Sequence, residues 1–241
     1  MNVAIIPARG GSKRIPRKNV RNFCGRSAIS WVIEAALKAK SIDMVFVSTD
    51  DSEIEEIALD CGCRSLGSRS TKLADDHTTS TEVVRYEIKR LIDSDISPDF
   101  VCQLYPTAVF ATPKLIDLGF SRLESDTGQT LFSFVATEFD AQVQRGFSIE
   151  SGRCIPLEPD AYLLRSQDLP RVYHDAGQFY WGACASWLES EFRFNARSTA
   201  VVVPRHQVWD LDTESDWLIA ETLFRQQTAN REIVHNMTPE V

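Results

Sequence analysis

The sequence predicts an α/β fold: a mostly parallel sheet with helices on both faces. Two observations predict it. Short apolar runs alternate with segments of helical periodicity through the first half of the chain. And 241 residues with 43% hydrophobic and 25% charged side chains suit one globular domain. That composition excludes a disordered, collagen-like or coiled-coil chain. No apolar run approaches the roughly 20 residues of a membrane helix.

Val3 to Pro7 reads as the first strand. A glycine-rich basic loop follows. Ser27 to Ala39 reads as a helix, with Ile29, Val32, Ile33, Ala36 and Leu37 on one face. Met44 to Ser48 is a second buried strand. Ser52 to Cys61 is a helix by the spacing of Ile54, Ile57 and Ala58, with Gly62 as its C′ residue. Residues 66–79 read as a polar loop and Glu82 to Leu91 as a helix. Phe100 to Leu104 is a strand stopped by Pro106, and Pro113 to Leu123 is a helix with proline in its first turn. Leu131 to Ala136 is a strand. Residues 139–182 hold several short strand candidates and few helical signals, so an antiparallel excursion is expected there. Ala200 to Val203 is a strand. Thr213 to Gln226 is the last helix, opened by Thr213-x-x-Asp216, a capping box with Asp in place of Glu. The chain reads as one domain over 1–227, with 228–241 a polar tail expected to fray.

The N-terminus lacks the charged-then-apolar pattern of a secretory signal, so a cytoplasmic protein is expected. The six cysteines do not read as a disulfide framework in a chain this long. Only Cys61 and Cys63 lie close together, and one intervening residue is poor zinc spacing.

The net charge of −8 hides an asymmetry. Residues 1–26 hold seven Arg and Lys and no acid, which leaves −15 on the other 215 residues. An acidic protein with one basic island does not suit nucleic acid, which attracts a broad basic surface. It suits a small polyanion such as a nucleoside triphosphate.

The island is Pro7-Ala8-Arg9-Gly10-Gly11-Ser12-Lys13-Arg14-Ile15-Pro16-Arg17-Lys18-Asn19. It follows the first strand and precedes the first helix, where open α/β sheets bind ligands. Glycines there let backbone N–H groups approach phosphate oxygens. The spacing is neither that of a Walker A loop nor Gly-x-Gly-x-x-Gly. At the other end, Asp210-Leu211-Asp212 places two carboxylates on one side of an extended segment. Such a pair suits Mg²⁺, a hard cation preferring oxygen, while Asp212 also suits the N-cap of the following helix. Asp50 and Asp51 end a strand on the ligand side, as helix caps or ligand contacts. His174 and Asp175 are strand neighbours expected on opposite faces, hence not a ready-made dyad. Phe179, Tyr180, Trp181, Trp187, Trp209 and Trp217 read as packing.

The basic loop resembles the signature of the cytidylyltransferases that activate sialic-acid-like sugars, and the resemblance runs through roughly residues 1–225. It implies a Rossmann-like sheet of the nucleotide-diphospho-sugar transferase kind. Leu73-Ala74-Asp75-Asp76-His77-Thr78 resembles the family's base-side loop. Tyr173-His174-Asp175-Ala176-Gly177-Gln178-Phe179-Tyr180-Trp181-Gly182, preceded by Arg165-Ser166-Gln167-Asp168, resembles the branch acting on pseudaminic acid, a diacetamido tetradeoxy nonulosonic acid.

The resemblance implies a nucleotide site of Ala8, Arg9, Gly10, Gly11, Ser12, Lys13, Lys18 and Asn19, with Arg69, Thr78 and Ser80 near cytosine. Ser70 stands where the family often has proline. It implies a sugar site of Gln103, Tyr105, Arg165, His174, Asp175 and Gln178. Tyr105-Pro106-Thr107-Ala108 resembles the end of the family's Gln-x-x-Pro-Thr-Ser segment, with Ala108 removing one hydroxyl. Arg9, Lys18, Asp210 and Asp212 are implied as catalytic, with Asp210 and Asp212 holding Mg²⁺. Asn19 is expected to hydrogen-bond the nucleoside. A homodimer is implied, through part of residues 139–182. The implied partners are CTP and a nine-carbon 2-keto sugar acid, with no nucleic acid or membrane. The reaction expected is in-line attack of the sugar's C2 hydroxyl on the α-phosphorus of CTP, releasing pyrophosphate. The alternatives are another sugar acid (N-acetylneuraminate, legionaminate or an eight-carbon ulosonate), another nucleotidyltransferase of this fold, or a non-catalytic nucleotide sensor.

Overall fold

The computed structural model describes residues 1–70, 73, 78–125, 129–189 and 194–237, with side chains to residue 229. Strand β1 (Asn2–Pro7) leads through the basic loop into a small hairpin, β2 (Asn22–Phe23) and β3 (Arg26–Ser27). Then come α1 (Ala28–Lys38), β4 (Met44–Ser48), α2 (Ser52–Asp60), β5 (Arg64–Ser65), α3 (Ser80–Asp93), β6 (Phe100–Leu104) and α4 (Pro113–Glu124). The second half holds β7 (Phe132–Glu138), the hairpin β8 (Phe147–Glu150) and β9 (Arg153–Pro156), β10 (Tyr173–Ala183), α5 (Cys184–Glu189), β11 (Ser198–Val202) and α6 (Glu214–Met237).

Seven strands form the main sheet in the order β11-β7-β10-β6-β1-β4-β5. β1 pairs in parallel with both β4 and β6, β4 with β5, and β11 with β7. β10 is antiparallel to both its neighbours, β6 and β7. This corrects the expectation for residues 139–182. Their last stretch is not part of an excursion: it is an inner strand, and its Phe179, Tyr180 and Trp181 are core. Only the segment before it, with β8 and β9, stands off the sheet.

Period-2 alternation divides the strands between two faces. Ala4 and Ile6 of β1 pack with α1, α2 and α4, whereas Val3 and Ile5 pack with α3 and α5. A third cluster joins Phe23 of β2, Ile15 of the loop, Leu211 and the Trp217 face of α6. The two indoles at the sheet are anchored as well as buried. Trp181 Nε1 donates to the Ile116 carbonyl and Trp187 Nε1 to the Val101 carbonyl, both at 3.0 Å. Truncating either to alanine would cost about 3–5 kcal/mol.

Helix starts follow the local chemistry. Asp51 caps α2 by accepting from Ile54 N, and Thr79 and Glu82 form a reciprocal capping box on α3, which moves its start two residues ahead of the expected Glu82. Thr213 and Asp216 bond reciprocally at the start of α6 as the sequence predicts. That helix runs to Met237, through most of the stretch expected to fray. Among the described residues no helix is long and apolar enough to cross a membrane.

Candidate active site

β1 lies between β4 and β6, so successive connections leave it toward opposite sides. The ends of these strands form the switch point where doubly wound sheets bind ligands. The basic loop starts there. Ala8 N continues the β1–β4 pairing by donating to Ser48 O at 2.8 Å. Asn19, itself buried, closes the loop by donating from Nδ2 to Arg9 O at 2.9 Å. Arg17 takes a left-handed φ of 55° and reaches back to Asp51 and Glu53. The Arg17 guanidinium holds the Asp51 carboxyl below its ordinary range.

The loop walls a cleft of about 230 Å³. It gathers Arg9, Ser12, Lys13, Lys18, Asn19, Arg69, Thr78, Ser80 and Tyr105, nine of the residues the sequence proposes, with Arg14, Leu73 and Thr107 beside them. Ala8 is buried, and neither it nor Gly10 nor Gly11 is among the residues that line the cleft. Arg69 is only 3% exposed. Its Nη1 faces Ser48 O at 3.5 Å, its Nη2 lies 3.5 Å from Asp50 Oδ1, and its Nε is buried without a partner among the described residues. Burial lowers its pKa, opposed by Asp50 and Glu87. Ala74 to His77 of the base-side loop lie outside the described residues.

A second cleft of about 300 Å³ is lined by Thr137, His174, Asp175, Arg205, Trp209, Asp210, Asp212 and Asp216. The two clefts meet at one seam. Arg14 and Lys18, which line the first, lie 2.7 Å and 3.8 Å from Asp212 Oδ1, and Lys18 Nζ donates to Leu211 O. Burial lowers the Lys18 pKa, and the Asp210 and Asp212 charges push it back up. Desolvation, then the Asp212 charge, raises Asp210, with Lys18 opposing. Asp210 remains exposed by surface area, so its desolvation comes from protein atoms crowding an open cleft rather than from enclosure.

β10 carries an irregularity that shapes this second cleft. Between Asp175 and Tyr180 it advances five residues while β7 advances two, from Ala136 to Phe134. Gly177 turns this bulge at φ 61°, and a Cβ there would stand 3.3 Å from Asp210 Oδ2. Bulges re-aim side chains beside sites in this way. His174 and Asp175 line the same cleft, against the expectation of opposite faces. They are still no dyad: His174 Nδ1 meets the Asp175 carbonyl at 2.8 Å, while the Asp175 carboxylate takes Gly177 N and Tyr180 OH.

The other sugar-side candidates divide. Gln103 is fully buried in β6. Gln178 is buried in the bulge, its Nε2 on Ala176 O and its Oε1 without a partner among the described residues. Tyr105 N donates to Gln178 O at 3.1 Å, which ties the bulge to the end of β6. Arg165 joins neither cleft; it stands 75% exposed beside Asp168. Thr137, Arg205 and Trp209 are missed by the sequence reading. Thr137 lies near the end of β7 and carries no motif, and Arg205 lies five residues before Asp210 with no local signal of its own.

Asp210 and Asp212 fit Mg²⁺ chemically. They are oxygen donors that line one cleft, and Asp210 is raised first by desolvation and then by the Asp212 charge, both of which a bound cation would offset. Mg²⁺ takes one or two carboxylates and completes its shell with water and phosphate. A protein cluster of three or more ligands is therefore not required, and among the described residues there is none.

The sequence family described as Cytidylyltransferase matches residues 3–150. The chain is 41% identical over 225 residues to a pseudaminic acid cytidylyltransferase of Campylobacter jejuni, covering 93% of this chain and 96% of that one. It is 30% identical to N-acylneuraminate cytidylyltransferase B of Danio rerio over 90% of this chain and 50% of that one. In fold it is similar to a CMP:2-keto-3-deoxy-manno-octonic acid synthetase complexed with CTP. The TM-score is 0.69 at 17% identity, over 94% of this chain and 99% of that one. The fold at the switch point, the cation-lined cleft and these similarities agree: the chain belongs to the cytidylyltransferase family.

Proposed function

We propose that this enzyme activates pseudaminic acid to CMP-pseudaminic acid, using CTP and releasing pyrophosphate. The observation that carries the reading is the seam at Lys18, where a cation-lined cleft meets a pair of carboxylates. The similarity to the Campylobacter jejuni enzyme supports the choice of sugar.

The chemistry follows from charge. The C2 hydroxyl gives its proton to solvent water and forms the new bond to the α-phosphorus, while the bond from the α-phosphorus to the bridging oxygen of the β-phosphate breaks and pyrophosphate leaves with that electron pair. Arg9, Lys13 and Lys18 neutralise the triphosphate and the charge that develops on it. Arg69 meets the base side, and Thr78 and Ser80 offer hydroxyls at the N-terminus of α3. Asn19 braces the loop from within. His174 and Thr137 sit on the sugar side. Asp210 and Asp212 would hold Mg²⁺, which supplies Lewis-acid stabilisation of phosphate oxygens when bound. The rest is positioning, as a direct displacement requires.

Residues 139–172 support a homodimer. This lobe leaves Ile149 69% and Leu163 85% exposed, an apolar display that a second copy would cover. The assembly is read by sedimentation of the full chain. Six free thiols and a CTP-dependent reaction suit the cytoplasm.

The test is pyrophosphate release from CTP and Mg²⁺, with pseudaminic acid and N-acetylneuraminic acid in parallel and mass spectra of the products. A CMP conjugate from pseudaminic acid alone is expected. Product from N-acetylneuraminic acid instead keeps the reaction and discards the sugar. No product from either overturns the reading.

A further inference from the structure

The corner between β4 and α2 carries two adjacent acids with separate tasks. Asp51 caps α2 and holds Arg17. Asp50 does neither. Its Oδ1 accepts from Gly10 N at 3.2 Å and lies 3.5 Å from Arg69 Nη2. One carboxylate oxygen therefore faces both the start of the basic loop and the buried arginine on the opposite wall of the cleft. Gly10 is pressed against this corner, since a Cβ there would meet Asp51 Oδ2 at 2.5 Å. Its N–H is spent on Asp50, so Gly10 serves the loop as a tether rather than as a phosphate donor.

An acid under a loop that binds a polyanion opposes that binding by its own charge. Two facts account for its presence. Arg69 is a buried cation, and a buried cation without a counter-charge is strongly unfavourable. The other links of Arg69 go to the same corner: its backbone N donates to Thr49 O at 2.7 Å and its Nη1 faces Ser48 O. Its Nε is buried in the wall of the cleft, without a partner among the described residues.

We propose that Asp50 is a positioning residue that couples the triphosphate side of the cleft to its base side, by holding Gly10 and Arg69 on one oxygen. Occupation of the loop by phosphate fixes Gly10, hence Asp50, hence the guanidinium that meets the base. The inference rests on the reading of the cleft as a CTP site.

The experiment is a binding cycle on the full chain without sugar acid. Cytidine is titrated calorimetrically with and without inorganic tripolyphosphate. In the wild type tripolyphosphate is expected to tighten cytidine roughly tenfold, within the range of known site couplings. Asp50→Asn keeps an acceptor for Gly10 N but removes the charge that holds Arg69. In that variant the coupling is expected to fall to about twofold or less. Its melting temperature should fall, because the buried guanidinium loses its counter-charge, and its preference for CTP over UTP in kcat/KM, read well below that temperature, should fall about tenfold. A purely structural role would not move that preference. Asp50→Glu keeps the charge, displaces the oxygen, and reads the same loss should the Asn variant fail to fold. Wild-type binding of both ligands without coupling, or coupling unchanged in the variants, overturns the role of Asp50. A wild type that binds neither CTP nor cytidine overturns the reading of the cleft instead.

Discussion

The two clefts that meet at Lys18 are built in opposite ways. The cation-lined cleft takes its charge mainly from one continuous loop, residues 9–19, on the parallel half of the sheet, with Arg69, Ser80 and Tyr105 brought in from elsewhere. The acidic cleft is assembled from the end of β7, the bulge of β10 and the segment 205–216, which the chain brings together from far apart. The first is stabilised by acids placed beneath it, Asp50, Asp51 and Glu53. The second is stabilised by cations at its edge, Arg14 and Lys18. Each cleft thus has its charge balanced by groups of the opposite sign at its border. The difference separates holding an anion from reacting with it.

Removing one member from each cleft gives the largest effect. Asp210→Ala is expected to lower kcat at least ~100-fold, as loss of a preorganised charge-stabilising group does, while CTP still binds. Arg9→Ala is expected to lower kcat/KM by a similar factor with CTP binding weakened as well. Steady-state kinetics beside calorimetric CTP titration reads the split. Equal loss of CTP binding in both variants would break the comparison, because the acidic cleft would then also be holding the nucleotide.

The bulge is tested next. Gly177→Ala places a Cβ 3.3 Å from Asp210 Oδ2 at a left-handed backbone position. The expectation is a loss of about 1 kcal/mol in stability from the backbone alone. A fall of about tenfold in kcat accompanies it as Asp210 is displaced, since small misplacements cost this much or more. Thermal unfolding and turnover check the two parts. An unchanged kcat in a destabilised variant would reduce Gly177 to a turn residue.

This contrast explains what the sequence made legible. β4 and β6 match the apolar runs to the residue, because buried parallel strands are short and uninterrupted. The basic loop is legible because its charge and glycines are contiguous, and nine of the proposed residues share its cleft. β10 is not legible as an inner strand, since pairing between distant segments leaves no local signal. The shared cleft of His174 and Asp175 depends on a bulge that strict alternation cannot express. Arg205 enters the site only through the packing of its segment against β7 and β10. Arg165 differs in the other direction: its neighbourhood matches a motif, yet within one chain it stands exposed on the lobe and lines neither cleft.

Asp210 also gives the acidic cleft a pH signature. Its carboxyl is raised above the ordinary value of 3.8 by desolvation and then by Asp212. The folded state therefore keeps a proton that the unfolded chain has already lost, in the window between 3.8 and the raised value. Above that window the charged group weakens the fold, and the penalty is relieved as pH falls through it. Asp210→Asn should thus raise the melting temperature at neutral pH, an advantage that shrinks on acidification, while activity is lost. Asp212→Asn should lower the Asp210 titration, read by carboxyl NMR in metal-free protein. A rise would mean that Arg14 and Lys18, freed from Asp212, are not what faces Asp210.

The smallest expected effect lies outside both clefts. Arg165 is exposed and pairs with Asp168 three residues on, at 2.9 Å. Such a pair contributes little, so Arg165→Ala should change stability by less than about 0.5 kcal/mol. CTP binding should not change either, because no wall of the cation-lined cleft includes it. The informative quantity is KM for the sugar acid. Unchanged, it leaves Arg165 as lobe surface and confines sugar recognition to the bulge side of a single chain. Raised, with CTP binding intact, it would require the lobe of a second copy to reach the acidic cleft. Dilution below the dimer's dissociation constant would then raise the wild-type KM in the same way, while leaving Arg165→Ala unaffected.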